Sequence, residues 1–235
     1  MTCSPDPAPD KGRMGPGRGR RREAELNDAR LLVAACDAFA ELGWKASVSD
    51  IARRADVGMD TIYRRYAGKE ELAQHICLTA VDHLTHTARA AALETSDGWQ
   101  ALVRFMRTAL TTRTGSLLPR LGGRLPLTDD LEAAVVRLHE AVEAVVGRAQ
   151  REGALRADVV SADIVLLLVH LKILLPTAET RFCELRLTYL DIVLDGLRPR
   201  PPHLPQGLDG PPPDWQELRA LWHADRSGPR GGDTG

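Results

Sequence analysis

The sequence predicts an all-α protein, and three observations carry that prediction. Hydrophobic residues make up 43% of the 235 but aromatic residues only 4%, so the core has to be built from Leu, Val, Ile and Ala. Those residues recur at steps of three and four along most of the chain, the period of a buried helix face. The periodic stretches are separated by Gly, Pro and Ser at positions where helices stop and start.

Residues 1–22 are rich in Pro, Gly, Asp and Arg with almost nothing apolar to bury, and read as a disordered basic tail. A first helix follows with Leu32, Cys36 and Phe39 on one face, ending at Gly43, where glycine tolerates a left-handed backbone. Ser47 stands three residues before Asp50, a capping-box start for a second helix whose face is Val48, Ile51, Ala52 and Ala55. A break at 56–58 leads to a third, short helix with Ile62 and Tyr66 inward. After Gly68, KEEL opens a long fourth helix carrying Leu72, Ile76, Ala80 and Leu84, with acidic residues at its positive end.

Beyond Gly98 a fifth helix runs from Trp99 to about Thr112, with Leu102, Phe105, Met106 and Ala109 aligned. Residues 113–127 contain two prolines and three glycines and carry no period. Leu131, Val135, Leu138, Val142, Val145 and Ala149 then follow a nearly heptad spacing to Gly153. Two further helices are expected. One spans 161–175, capped by Ser161 and stopped by Pro176; the other spans about 180–196, with Phe182, Leu185, Tyr189, Ile192 and Val193 inward. From 199 to 235 the chain returns to Pro and Gly. Within it, Trp215, Leu218, Leu221 and Trp222 have helical spacing, so a short helix is expected to dock on the body.

Several chemistries find no support. Cys3, Cys36, Cys77 and Cys183 form no CxxC pair, and His83 and His86 lack a third ligand, so no metal or cofactor is expected. The LGGR at 121–124 lacks phosphate-loop spacing, and neither a nucleophile elbow nor HExxH occurs; an enzyme is not expected. The longest apolar run, 164–175, is interrupted by His170 and Lys172 and is too short to span a bilayer, and no signal-peptide pattern opens the chain. No membrane partner and a cytoplasmic location are therefore expected.

The near-zero net charge divides into a basic front and an acidic body, which points to the front as the part that meets a polyanion. Two short helices joined by a tight turn, the second bearing Thr61, Tyr63, Arg64 and Arg65, match a helix-turn-helix. Tyr63 and Lys69 can reach phosphates, while Arg64 or Arg65 can pair with the O6 and N7 atoms of guanine. A solvated helix face would look much the same on composition alone. The arginines of GRGRRRE read either as a solubilising tail or as an arm adding phosphate or minor-groove contacts.

Residues 30–72, RLLVAACDAFAELGWKASVSDIARRADVGMDTIYRRYAGKEEL, resemble the N-terminal domain of TetR-family transcriptional regulators. The matching features are AA...F.E.G in helix one, S.SDIA opening helix two, the A.VG turn, T.YR.Y in the recognition helix and KEEL opening helix four. REGALRADV and the helix after it extend the likeness, more loosely, to roughly 26–198. The resemblance implies a three-helix helix-turn-helix DNA-binding domain at 23–70 and a helical ligand-binding and dimerisation domain at 71–198. It implies that Ser47 caps helix two and touches phosphate, and that Thr61, Tyr63, Arg65 and Lys69 contact the DNA backbone. Arg64 becomes the base reader, with Met59 and Asp60 at the DNA-facing start of the same helix.

Family members commonly carry glycine where this chain has Asp60. A carboxylate there suits a helix N-terminus, precedes Arg64 at i, i+4 spacing, and could hold that arginine or accept from a cytosine amine. A plain helix-start residue is the alternative. The resemblance also implies a homodimer on a palindromic operator, formed through helices near 161–176 and 180–197. A small, largely apolar effector is implied too, with Trp99, Phe105, Met106, His139 and His170 as candidate pocket residues. Repression relieved by that ligand is the expected mode, and a helical ligand-binding protein or enzyme without DNA binding is the rival.

Overall fold

In the computed structural model, residues 30–39, 41–112, 121, 125, 128–172, 179–201, 203, 207, 208 and 210–223 are described. The N-terminal tail and its arginines, Cys3, most of the irregular 113–127 segment and Pro176 lie outside the described residues, as do the side chains of Leu221 and Trp222. Among the described residues there is no strand.

Helix α1 covers residues 30–39 and buries Leu31, Ala34, Ala35, Cys36, Ala38 and Phe39. Of the predicted face, Cys36 and Phe39 are buried and Leu32 is partly buried against the core. Gly43 is left-handed at φ 55°, where a Cβ would be strained, and it opens a single 3-10 turn, Gly43–Lys45. Helix α2, Val48–Ala55, begins with the full capping box: Ser47 Oγ accepts from the Asp50 amide at 3.1 Å, and the Asp50 carboxylate accepts from the Ser47 amide, also at 3.1 Å. The Ser47 hydroxyl donates to the same carboxylate at 2.6 Å, and these bonds hold Asp50 below the usual carboxylate range. Val48, Ile51, Ala52 and Ala55 are all buried. Asp56, left-handed at φ 56°, ends the helix.

Helix α3, Met59–Tyr63, is followed by α4, Lys69–Glu94, and α5, Gly98–Thr111. Asp97 caps α5 by accepting from the Gln100 amide at 2.7 Å. Gly98 is required by a close approach: an added Cβ would stand 2.9 Å from the backbone nitrogen of Ala149. Its own amide donates to Glu152 at 2.6 Å, which ties the start of α5 to the end of α6, Asp129–Arg151. The predicted stripe of α6 is buried throughout, and α4, α5 and α6 pack on one another around Leu102, Phe105, Met106, Leu138 and Val142.

Helices α7, Ser161–Leu171, and α8, Glu179–Leu197, close the body against α5. Two expectations are corrected here. The cap of α7 is Val160, whose amide donates to Asp163 at 2.9 Å, while the Ser161 hydroxyl accepts instead from the Trp215 indole at 3.0 Å. On α8 the buried residues are Phe182, Leu190, Leu194 and Leu197; Tyr189 and Ile192, expected inward, are 51% and 62% exposed. Helix α9, Trp215–His223, lies against α7 with Leu218 fully buried, and Trp215 stacks on His139 with ring centroids 4.4 Å apart. Arg219 pairs with Glu132.

The loop between α6 and α7 is stapled to the end of α8. The Arg156 amide donates to the Leu197 carbonyl at 3.1 Å, and its guanidinium grips Asp158 bidentately at 2.6 and 2.5 Å. That grip holds the Asp158 carboxyl below its ordinary range. Asp158→Ala leaves the buried Arg156 guanidinium with only the Gly196 carbonyl, at 3.4 Å, and is expected to lose about 1–3 kcal/mol in urea unfolding at neutral pH. Because the folded pKa of Asp158 is lowered, the contribution is present above the unfolded value and lost as pH falls through the folded one. The wild-type and Asp158→Ala proteins should therefore converge in strong acid.

Candidate nucleic-acid interface

Ile62 and Tyr66 anchor the third helix. Ile62 is 1% exposed and Tyr66 6%, and Tyr66 lies at a tilt on His75 of α4 with centroids 5.5 Å apart. Burial pushes the Tyr66 phenol up and the His75 imidazole down. With the inner face fixed, Met59, Asp60, Tyr63, Arg64 and Arg65 are exposed together, and Thr61 is half-buried. Gly58 precedes them in extended backbone, and its carbonyl accepts from the Thr61 amide at 3.0 Å.

The helix itself is short. Arg64 is its C-terminal cap, its amide donating to the Asp60 carbonyl at 2.9 Å, and Arg65 already lies in the turn. The i, i+4 relation of Asp60 and Arg64 is thus made by the backbone, and among the described residues no ion pair joins their side chains. An aspartate that holds Arg64 in the free protein is not what the geometry contains.

Lys69 differs from its expected posture. Its ammonium donates to the Trp44 carbonyl and stands 4.4 Å from the centre of the Trp44 ring. Trp44 in turn stacks at 6.3 Å on Phe39 of α1. Lys69 therefore ties the start of α4 to the α1–α2 corner. Ser47, at the exposed N-terminus of α2, has its hydroxyl committed to the capping box. Arg53 pairs with Asp50 at 2.9 Å and Arg54 with Glu41 at 2.6 Å, which leaves Arg64 as a solvent-facing cation on the third helix.

Of the five candidate pocket residues, Trp99, Phe105 and Met106 belong to one buried cluster on α5. Phe105 and Met106 are in the core. Trp99 is covered by the Arg198 guanidinium at 3.8 Å, His139 by Trp215, and His170 is exposed with Nδ1 2.8 Å from the Leu166 carbonyl oxygen. Sequence reading passed over Lys172. It is 5% exposed, just past the end of α7, and its Nζ donates to the Thr112 carbonyl at 3.0 Å. Its signal in the sequence is a charge that interrupts an otherwise apolar run. Among the described residues no three His, Cys, Asp or Glu side chains are grouped to hold a metal, and no helix is long and apolar enough to cross a membrane.

Residues 31–76 match the family model for bacterial regulatory proteins of the tetR family, and residues 97–199 match the SbtR-like C-terminal domain of transcriptional regulators. A TetR transcription regulatory protein from Mycobacterium vanbaalenii is 31% identical in a structural match covering 76% of this chain and 99% of that one, with a TM-score of 0.54. The chain belongs to the TetR family. It is a DNA-binding transcriptional regulator, and the family is one of regulators rather than enzymes. The TetR regulator SCO0520 from Streptomyces coelicolor is similar at 26% identity over 74% of this chain and 99% of that one, TM-score 0.51. The HTH-type transcriptional activator FasR from Mycolicibacterium smegmatis is 33% identical over 89 residues, 37% of this regulator and 41% of FasR.

Proposed function

We propose that the regulator binds a palindromic operator as a homodimer, presenting Met59–Arg65 to the major groove, and that a small molecule bound among the C-terminal helices releases it. The observation that carries this reading is the division of the third helix and the turn after it into a buried side, Ile62 and Tyr66, and an exposed side bearing Tyr63 and Arg64. Homodimerisation is supported by the exposed Tyr189 and Ile192 on α8, an apolar stripe that the chain's own core does not use. Coupling follows from α4, which begins at the Lys69–Trp44 contact beneath the reading head and packs along α5 and α6. A ligand that prefers one placement of α4 shifts the spacing of the two reading heads, and by linkage DNA weakens the ligand by the same factor. Activation is the second reading, favoured by the FasR match.

Mobility shifts on the DNA upstream of its own gene, repeated across salt concentrations, test DNA binding: affinity should fall steeply with salt. Absence of any duplex binding at low salt would sink the proposal. Arg64→Ala is expected to lose about 1–3 kcal/mol on the operator and relax specificity at one base pair. Tyr63→Phe should instead weaken all sequences alike. Equal loss from Arg64→Ala on operator and random DNA would make Arg64 a phosphate contact. With no side-chain pair to Arg64, Asp60 retains two roles, a helix-start carboxylate and an acceptor for a cytosine amine.

A further inference from the structure

Lys172 is the most deeply buried ammonium group among the described residues. Among the described residues its one hydrogen bond is to a neutral acceptor, the Thr112 carbonyl. Arg186 of α8 acts on it as a like charge. The Arg186 guanidinium is itself held by neutral groups, 4.1 Å over the Phe182 ring and donating to Cys183 Sγ at 3.2 Å. Among the described residues neither cation has a carboxylate partner. From Thr112 the chain runs to Thr128 with Arg113, Arg120 and Arg124 and without a single Asp or Glu, and residues 173–178 carry no charge at all.

A buried lysine is ordinarily matched by an anion from the protein, because an isolated ammonium in an apolar site is strongly unfavourable. Apolar side chains stand on the same helices: Leu168, one turn before Lys172 along α7, is 7% exposed, and Phe182, under the Arg186 guanidinium, is 5% exposed. The geometry points to an oxyanion-binding site formed by Lys172 and Arg186 at the junction of α5, α7 and α8, taking the carboxylate or phosphate head of a small molecule with an apolar body. The head replaces the missing counter-charge with charge-assisted hydrogen bonds, and the body lies along Leu168 and Phe182. Burial draws the Lys172 amine down to about 7, so the site is partly neutral when empty and takes up a proton as the anion enters. Other titratable groups on these elements are His83 of α4, whose Nε2 is 3.4 Å from Thr112 Oγ1, the exposed His170, and Cys183, whose Sγ accepts from Arg186.

This inference rests on the C-terminal helices being the effector-sensing part. Titration calorimetry of the full chain with decanoate, decyl phosphate and decanol, in buffers of different ionisation enthalpy near pH 7.5, tests the site. At least one acid should bind with proton uptake, and decanol at least about tenfold more weakly. Lys172→Met should weaken the acid at least about tenfold and remove the proton uptake, Arg186→Gln should weaken it less, and Lys172→Arg should preserve binding. Failure of both acids to bind, or equal binding by Lys172→Met and wild type, overturns the site. Lys172-dependent binding that leaves operator affinity unchanged keeps the site and overturns ligand-driven release.

Discussion

Lys172→Met is expected to stabilise the unliganded protein by roughly 3 kcal/mol at pH 7, an unusual direction for a core substitution. Burial first, and the Arg186 charge second, draw the Lys172 amine from 10.5 down to about 7. At pH 7 the unfolded chain holds the proton fully and the folded chain only in part, a difference worth about 4 kcal/mol against folding. Methionine keeps the unbranched stem and removes the charge; the Thr112 carbonyl loses its donor, which takes back about 1 kcal/mol.

The sign with pH follows from the lowered value. Below pH 7 both states of Lys172 are protonated and the full penalty applies. As pH climbs from about 7 toward 10.5 the folded state is already neutral while the unfolded state gives up its proton, so the penalty fades and wild-type stability rises. Cys36 and Cys77 act oppositely. Burial pushes their thiols from 9.0 up to about 12, so the unfolded chain ionises first and stability falls above about pH 9. Urea unfolding between pH 6 and 8.5 separates the two effects: the wild type should gain stability across that window relative to Lys172→Met. A constant difference between the proteins would show that Lys172 does not titrate there.

The same residue marks the limit of what periodicity can tell. Helices α2 to α6 were legible because each carries one apolar stripe, bounded by residues whose chemistry stops or starts a helix, such as Ser47 with Asp50 and Gly153 at φ 67°. The exposed side of the third helix was legible for a related reason: Ile62 and Tyr66 define an inner side, and Tyr63, Arg64 and Arg65 between them face out. On α1 the predicted face of Leu32, Cys36 and Phe39 is narrower than the buried one, because the alanines at 34, 35 and 38 have too little side chain to mark its width in the sequence. The α7 cap was misassigned because Ser161 is chemically a good cap, and nothing local shows that a tryptophan 54 residues later donates to its hydroxyl. The pocket residues were chosen as aromatic and polar side chains in apolar stretches; that description fits core packing equally well. Lys172 needed the third dimension, since its isolation depends on which groups α5 and α8 bring near it.

Helix α8 shows a different ambiguity, and it leads to the second large effect. It carries two apolar stripes: Leu190, Leu194 and Leu197 face the chain's own core, while Tyr189 and Ile192 face out. Period alone cannot say which stripe a single chain buries. If the outward stripe pairs with its copy across a twofold axis, Ile192→Asp places two carboxylates near each other in an apolar seam, where neither can be solvated. The variant should be monomeric in analytical ultracentrifugation, with unchanged helical circular dichroism and an unchanged monomer fold. Operator binding should fall on the order of 10²–10⁴-fold, because one reading head no longer raises the effective concentration of the other at the second half-site. Leu93→Asp is the control: Leu93 on α4 is 86% exposed, and the substitution should alter neither assembly nor DNA affinity. An Ile192→Asp protein that still sediments as a dimer would move the interface off this face. One that is monomeric yet binds the operator at wild-type affinity would remove the need for two reading heads.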